Sequence, residues 1–135
     1  MDWILILIVG GVVAALFLLK RMLFVSAEIA RKHLAEDALV IDVRSPEEFR
    51  SGKVPGAINL PLGEVRTKIT QVAKDKRQPL LVHCLSGGRS AIARHQLKSL
   101  GYVNVFNLGS LGRTQGIFAE AKQRRVAAKT KRDGR

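Results

Sequence analysis

The segment His83-Cys-Leu-Ser-Gly-Gly-Arg-Ser90 contains the one cysteine of a 135-residue chain, in surroundings suited to a reactive thiol. An apolar run, Leu80 to Val82, leads into it and helical spacing follows it, so Cys84 stands where a strand hands over to a helix. Two adjacent glycines let such a loop turn its backbone N–H groups inward without a side-chain clash. The positive end of the helix beginning near Ser90 and the Arg89 guanidinium add field of the same sign. All three favour thiolate over thiol, so the Cys84 pKa is expected below its ordinary value. A lone cysteine after a strand is ordinarily a small packing residue. Here the glycine pair and the arginine argue for chemistry instead.

An anion cup around a cysteine serves two chemistries, phosphoryl transfer and sulfane-sulfur transfer. Cysteine phosphatases carry Cys-x5-Arg, whereas here Arg89 arrives after four residues. The shorter loop suits a persulfide or the terminal sulfur of thiosulfate better than a phosphate ester, which disfavours a phosphatase or arsenate reductase. A single cysteine excludes an intramolecular disulfide or a paired redox motif within this chain. One Cys and three scattered His form no recognisable metal pattern, and no cofactor is implied.

The elements that must position this loop alternate. Ser26 to Leu34 reads as a short helix and Ala38 to Asp42 as a buried strand. Ser45-Pro-Glu-Glu48 is a capping box with proline at the first helical position, stopped at Gly52. Turn residues follow in Val54-Pro-Gly-Ala57, then a helix over Gly63 to Lys74 and a strand over Leu80 to His83. Ser90 to Leu100 is helical with Gly101 as its stop, Val103 to Leu108 is a third strand, and Leu111 to Ala121 a last helix. Strands alternating with helices predict an α/β domain with a central parallel sheet flanked by helices. In such sheets the site lies beyond the carboxyl ends of the strands, where Asp42-Val-Arg44 and Cys84 to Arg89 arrive. By strand alternation His83 points away from the side of the sulfur, as a packed histidine rather than a base.

These blocks together resemble the rhodanese family. Cys84 to Arg89 resembles its six-residue active-site loop, Leu39-Val-Ile-Asp-Val-Arg44 with Glu47 and Phe49 its first signature, and Gly52-Lys-Val-Pro-Gly-Ala-Ile-Asn-Leu-Pro61 its second. Gly101-Tyr-Val-Asn-Val-Phe-Asn-Leu108 resembles its closing strand, and the likeness runs unbroken from about Ser26 to Ala121. The resemblance implies that Cys84 attacks the outer sulfur of thiosulfate or a persulfide donor, carries it as a persulfide, and passes it to a thiol or other nucleophilic acceptor, a protein included. It implies also that Leu85, Ser86, Gly87, Gly88 and Arg89 surround that sulfur, with Arg89 holding an anionic donor. Asp42 and Arg44 resemble the family's strand-end pair, read either as support for the loop or as a structural ion pair. The chain departs from the pattern at Lys53, where His is common. It departs again at Gly109-Ser-Leu-Gly-Arg-Thr114, where one of two paired glycines and a tryptophan are missing.

Trp3 to Leu19 is an uncharged apolar run of about 25 Å as a helix, extended by Met22 to Val25. Residues 1–25 are therefore expected to be a transmembrane anchor, residues 26–121 the domain, and residues 122–135 a basic, unstructured tail. Asp2 is the only charged side chain before the apolar run, unlike a signal peptide, and Lys20, Arg21, Arg31 and Lys32 follow it. The positive-inside rule then puts the N-terminus outside and the domain in the cytoplasm, on the inner membrane. The net charge of +12 draws about half its excess from the tail, which suits anionic lipid. The aromatic content of 5%, with no aromatic-and-basic interleaving, argues against nucleic acid. A membrane-anchored docking module that keeps the fold without turnover is the alternative function.

Overall fold

The computed structural model describes residues 2–134; Met1 and Arg135, the outermost residues of the expected anchor and tail, lie outside them. Ten elements follow in order: α1 (Asp2–Leu23), α2 (Ala27–Ala35), β1 (Leu39–Asp42), α3 (Pro46–Ser51), β2 (Ile58–Asn59), α4 (Val65–Val72), β3 (Leu80–His83), α5 (Gly88–Ser99), β4 (Val105–Gly109) and α6 (Leu111–Asp133), with a 3-10 turn at Leu62–Glu64 before α4.

The strands form one parallel sheet in the order β2-β1-β3-β4. From β1 the chain steps to one side to make β2, then returns to the other side for β3 and β4. That reversal opens a crevice beyond the carboxyl ends of β1 and β3, where an open α/β sheet binds its ligands. The register pairs Asp42 with His83, so the residues that follow each strand are brought level. β2 has no counterpart among the three expected strands, because two residues are too few to show a period.

Alternation along the strands divides the core. Ile41, Val43, Leu80, Val82 and Cys84 face Val65, Ile69, Ala93 and Leu97 of α4 and α5. Val40, Leu81 and Leu108 face Ala30 of α2 and Ile117 of α6 on the opposite side. α2 and α3 start where expected, Ser26 capping α2 by accepting from Ile29 N–H at 3.3 Å and Ser45 with Glu48 closing a capping box on α3, whereas α5 starts at Gly88, two residues before Ser90, and α4 at Val65, after the 3-10 turn.

Two stretches at the ends differ from expectation. α1 is 22 residues long with none of them buried against the domain, and it is long and apolar enough to cross a membrane. It stops at Leu23, however, and Phe24 and Val25 turn away to pack on the domain instead of extending the apolar span. The basic stretch from Lys122, expected to be unstructured, continues α6 as helix to Asp133. Between Gly116 and Gly134 it contains no glycine or proline and is rich in Ala, Lys and Arg, which propagate a helix once packed turns have nucleated it. Those packed turns carry Thr114 and Ile117, and Arg31 of α2 grips Glu120 at 2.6 Å.

Tyr102 closes the α4 side of the core, its hydroxyl donating to the Ala73 carbonyl at 2.6 Å while Lys76 Nζ lies 4.2 Å from the ring centre. Tyr102→Phe keeps the ring but leaves that carbonyl without its donor, and is expected to lower unfolding free energy by about 1–2 kcal/mol in denaturant titration.

Candidate active site

Cys84 leaves β3 on the α5 side of the sheet and is fully buried. Its backbone N–H donates to Gly109 O at 3.2 Å, and Leu85 O accepts from Leu111 N–H at 3.3 Å, so the loop is laced to the end of β4. Leu85, Ser86 and Gly88 are exposed, while Gly87 is buried. Gly87 has φ +104, a left-handed conformation that a side chain resists, and it aims its N–H at Cys84 Sγ from 2.9 Å. The positive end of α5 begins at the next residue.

Burial pushes the Cys84 thiol up. The Ser90 hydroxyl and the backbone N–H groups of Ser90, Gly87 and Ser86 pull it down and prevail, leaving the thiol below its ordinary range. The hydroxyl deserves the smaller share of this. It has one proton, and Asn107 Oδ1 at 2.7 Å is a much closer acceptor than the sulfur at 3.6 Å. The Gly87 N–H, at 2.9 Å, is the closer donor to the sulfur.

Asn107 is the hub behind the loop. Its Oδ1 accepts from Ser90 and from Gly109 N–H at 2.9 Å, and its Nδ2 donates to Gly87 O at 3.3 Å. Nothing in the sequence reading singled it out. The one available signal is an amide in the middle of the otherwise apolar Val105-Phe-Asn-Leu108, a buried polar group in need of partners.

Arg89, expected beside the donor, stands half-buried at the rim and makes a two-pronged pair with Glu48, at 2.7 and 2.9 Å. The same carboxylate accepts from Ser45 N–H at 2.9 Å, so the capping box of α3 is tied to the cysteine loop. Hydrogen bonding from Arg89, seconded by Ser45, holds Glu48 at about 2.

Asp42 and Arg44 form a buried ion pair. The Arg44 Nε donates to both carboxylate oxygens at 3.0 Å, Nη2 to Asp42 Oδ2 at 2.7 Å and to Gly52 O at 2.6 Å. The His83 ring is fully buried with Nε2 3.7 Å from that carboxylate, on the face opposite the sulfur, as alternation predicts. Burial holds His83 below its ordinary value despite the pull of Asp42. Among the described residues no cluster of His, Cys, Asp and Glu suits a metal ion.

Three outcomes follow for stability. Arg44→Ala strands the Asp42 carboxylate in the interior and is expected to lower unfolding free energy by about 3–5 kcal/mol, read by denaturant midpoint. The folded chain refuses His83 the proton that the unfolded chain accepts below 6.5. Stability should therefore fall as pH drops through that value, and urea midpoints for His83→Gln between about pH 7 and about pH 5 should show a flatter slope than the parent. Glu48 acts in a separate window: its contribution is complete above 4.5 and is lost as pH falls towards about 2.

A model for a rhodanese-like domain matches residues 26–111. The thiosulfate sulfurtransferase PspE of Escherichia coli (strain K12) is 42% identical over 71 residues, covering 53% of this chain and 68% of that protein. A sulfurtransferase of Allochromatium vinosum is 34% identical over 87 residues, covering 64% of this chain and 75% of its own length. Among solved structures, a rhodanese with anions from E. coli aligns with a TM-score of 0.55 at 39% identity, over 56% of this chain and 89% of that one. A human single-domain sulfurtransferase aligns with a TM-score of 0.55 at 29% identity, over 66% and 88%. With fold, cysteine loop and relatives in agreement, this chain belongs to the rhodanese-like family of sulfurtransferases.

Proposed function

We propose that Cys84 carries sulfane sulfur from thiosulfate or a persulfide donor to a thiol or protein acceptor, on a domain anchored to the membrane by α1, which ends at Leu23. The observation that carries this reading is the Gly87 N–H set 2.9 Å from a buried sulfur at the start of α5, in the crevice between β1 and β3. The Cys84 thiolate attacks the outer sulfur of thiosulfate. A new S–S bond forms as the old one breaks, and sulfite departs with the electron pair. An acceptor thiolate then attacks the outer persulfide sulfur, and Cys84 leaves as thiolate. Leu85, Ser86, Gly87 and Gly88 offer their backbone N–H groups to the anionic donor, and Arg89 meets it at the rim in competition with Glu48. Asp42 and Arg44 brace the end of β1 beside the loop.

The apolar α1, with Lys20 and Arg21 in its last turn, supports an uncleaved inner-membrane anchor with its N-terminus out and the domain in the cytoplasm. The basic, exposed end of α6, carrying Lys122, Arg124, Arg125, Lys129, Lys131 and Arg132, suits the anionic headgroups of that leaflet.

Incubation with thiosulfate should add the mass of one sulfur atom to the intact chain, and not to Cys84→Ser; cyanide should remove it as thiocyanate. A folded chain whose Cys84 takes sulfur from neither thiosulfate nor a persulfide donor would instead be a docking module. For the anchor, Cys84→Ser chains with a cysteine introduced at Asp2 or at Arg132 should be labelled in intact spheroplasts by an impermeant thiol reagent at the first position only. The reverse labelling would invert the orientation.

A further inference from the structure

Gly87 is buried although Leu85, Ser86 and Gly88 on either side of it are exposed, and what covers it comes from the far end of the chain. The Phe24 ring lies where a side chain on Gly87 would be: a Cβ there would meet Phe24 Cε1 and Cζ at 2.7 Å. The same ring faces Gly109, at 3.4 Å from the position of a Cβ on that residue. Gly87 and Gly109 themselves approach closely, a Cβ on the former standing 3.3 Å from the Cα of the latter. One aromatic ring thus caps the crossing of two glycines, one of which directs its N–H at Cys84 Sγ.

The ring is held in place from three sides. Val25 N–H donates to Asn107 O at 2.9 Å, Arg113 donates to the Val25 carbonyl and to Leu108 O, and the Arg113 guanidinium carbon stands 5.9 Å from the Phe24 ring centre. Asn107, which receives Val25 on its backbone, is also the residue whose side chain holds Ser90, Gly109 and the Gly87 carbonyl. The junction after α1 and the hydrogen bonds around the sulfur therefore share one residue.

Gly87 and Gly88 have no side chains with which to stiffen the loop, and glycine is the residue most free to leave a given conformation. Something outside the loop must keep the Gly87 N–H on target. We propose that Phe24, locked by Val25 and Arg113, is a positioning residue for Cys84: its ring presses Gly87 into the conformation that hydrogen-bonds the sulfur. This deepens the sulfurtransferase reading and rests on it for its meaning in catalysis, although the contact itself does not. The charged and titratable side chains around the thiol and its cover are Arg89 with its partner Glu48 at the loop, Asp42, Arg44 and His83 at the strand ends, and Arg113 behind Phe24. Of these only Arg113 touches Phe24, and freeing its positive charge or admitting water to the loop would favour the thiolate, so a rise in the Cys84 midpoint would report on the backbone N–H.

The test uses the full-length chain in detergent micelles and follows alkylation of Cys84, the one thiol present, by iodoacetamide as a function of pH. Phe24→Ala is expected to move the midpoint of the profile to higher pH and to slow alkylation at neutral pH about tenfold, the worth of one lost hydrogen bond to the thiolate. Phe24→Tyr, which keeps the ring, should restore the parent profile. Phe24→Leu keeps apolar bulk for folding and should shift the midpoint part of the way. Midpoints of Phe24→Ala and Phe24→Leu that superpose on the parent in folded protein would overturn the proposal, whatever happens to the plateau rate. Alkylation needs no sulfur donor, so a parent chain that alkylates normally but never takes up sulfane sulfur would sink the sulfurtransferase reading alone.

Discussion

A sulfur atom withdrawn from water holds negative charge only where polar hydrogens replace the solvent, and the architecture around Cys84 meets that demand. The donors cannot be long side chains, which would bring their own charge and freedom into the interior. They are backbone N–H groups, aimed by a loop that must be glycine at Gly87 because φ is +104 there. A loop of glycines has little stiffness, so its shape is borrowed from neighbours. Cys84 N–H and Leu85 O are tied to the end of β4, Gly87 O to Asn107, and the Gly87 surface to Phe24. The sheet register makes this lacing possible, since β3 and β4 deliver their last residues side by side, with a shift after Val82 that sets His83 against Gly109.

Charge is kept at a second layer. Neither guanidinium that the crevice brings near the loop is hydrogen-bonded to the sulfur. Arg44 is spent on Asp42 and Gly52, and Arg89 on Glu48. Each pair is close to neutral, so the thiolate depends on nearby dipoles more than on a net positive field. The pairs supply geometry. Glu48 binds the start of α3 to the rim of the loop, and Arg44 folds back over the end of β1 beside it.

The cysteine loop, the strands on either side of it and the capping box were legible in the sequence because each depends on local chemistry: a glycine pair, a run of β-branched and aliphatic residues, a Ser three residues before a Glu. What escaped depends on contacts between distant residues. Ile58-Asn59 is a strand only because β1 is there to pair with it. Arg89 and Glu48, 41 positions apart, each looked free to do something else. Phe24 read as the last part of an apolar span, since hydropathy cannot distinguish a side chain that faces lipid from one that faces a glycine. The basic end of α6 read as unstructured because its charge is obvious, whereas its helix propensity counts only after Ile117 and Thr114 have fixed the turns before it.

Only three residues, Phe24 to Ser26, separate α1 from α2, and the first two of them are fastened to β4 and α6. Fully extended, three residues reach about 10 Å, and pinned ones reach less. With α1 in a bilayer, the domain would be a fitting bolted to its post, with no tether on which to swing. Its crevice would stay at one height and one tilt above the headgroups, and its search for a partner would run in two dimensions. Selection among acceptors would then fall to stature: those that present a thiol at that height would be served, and equally reactive ones held farther from the headgroups passed over.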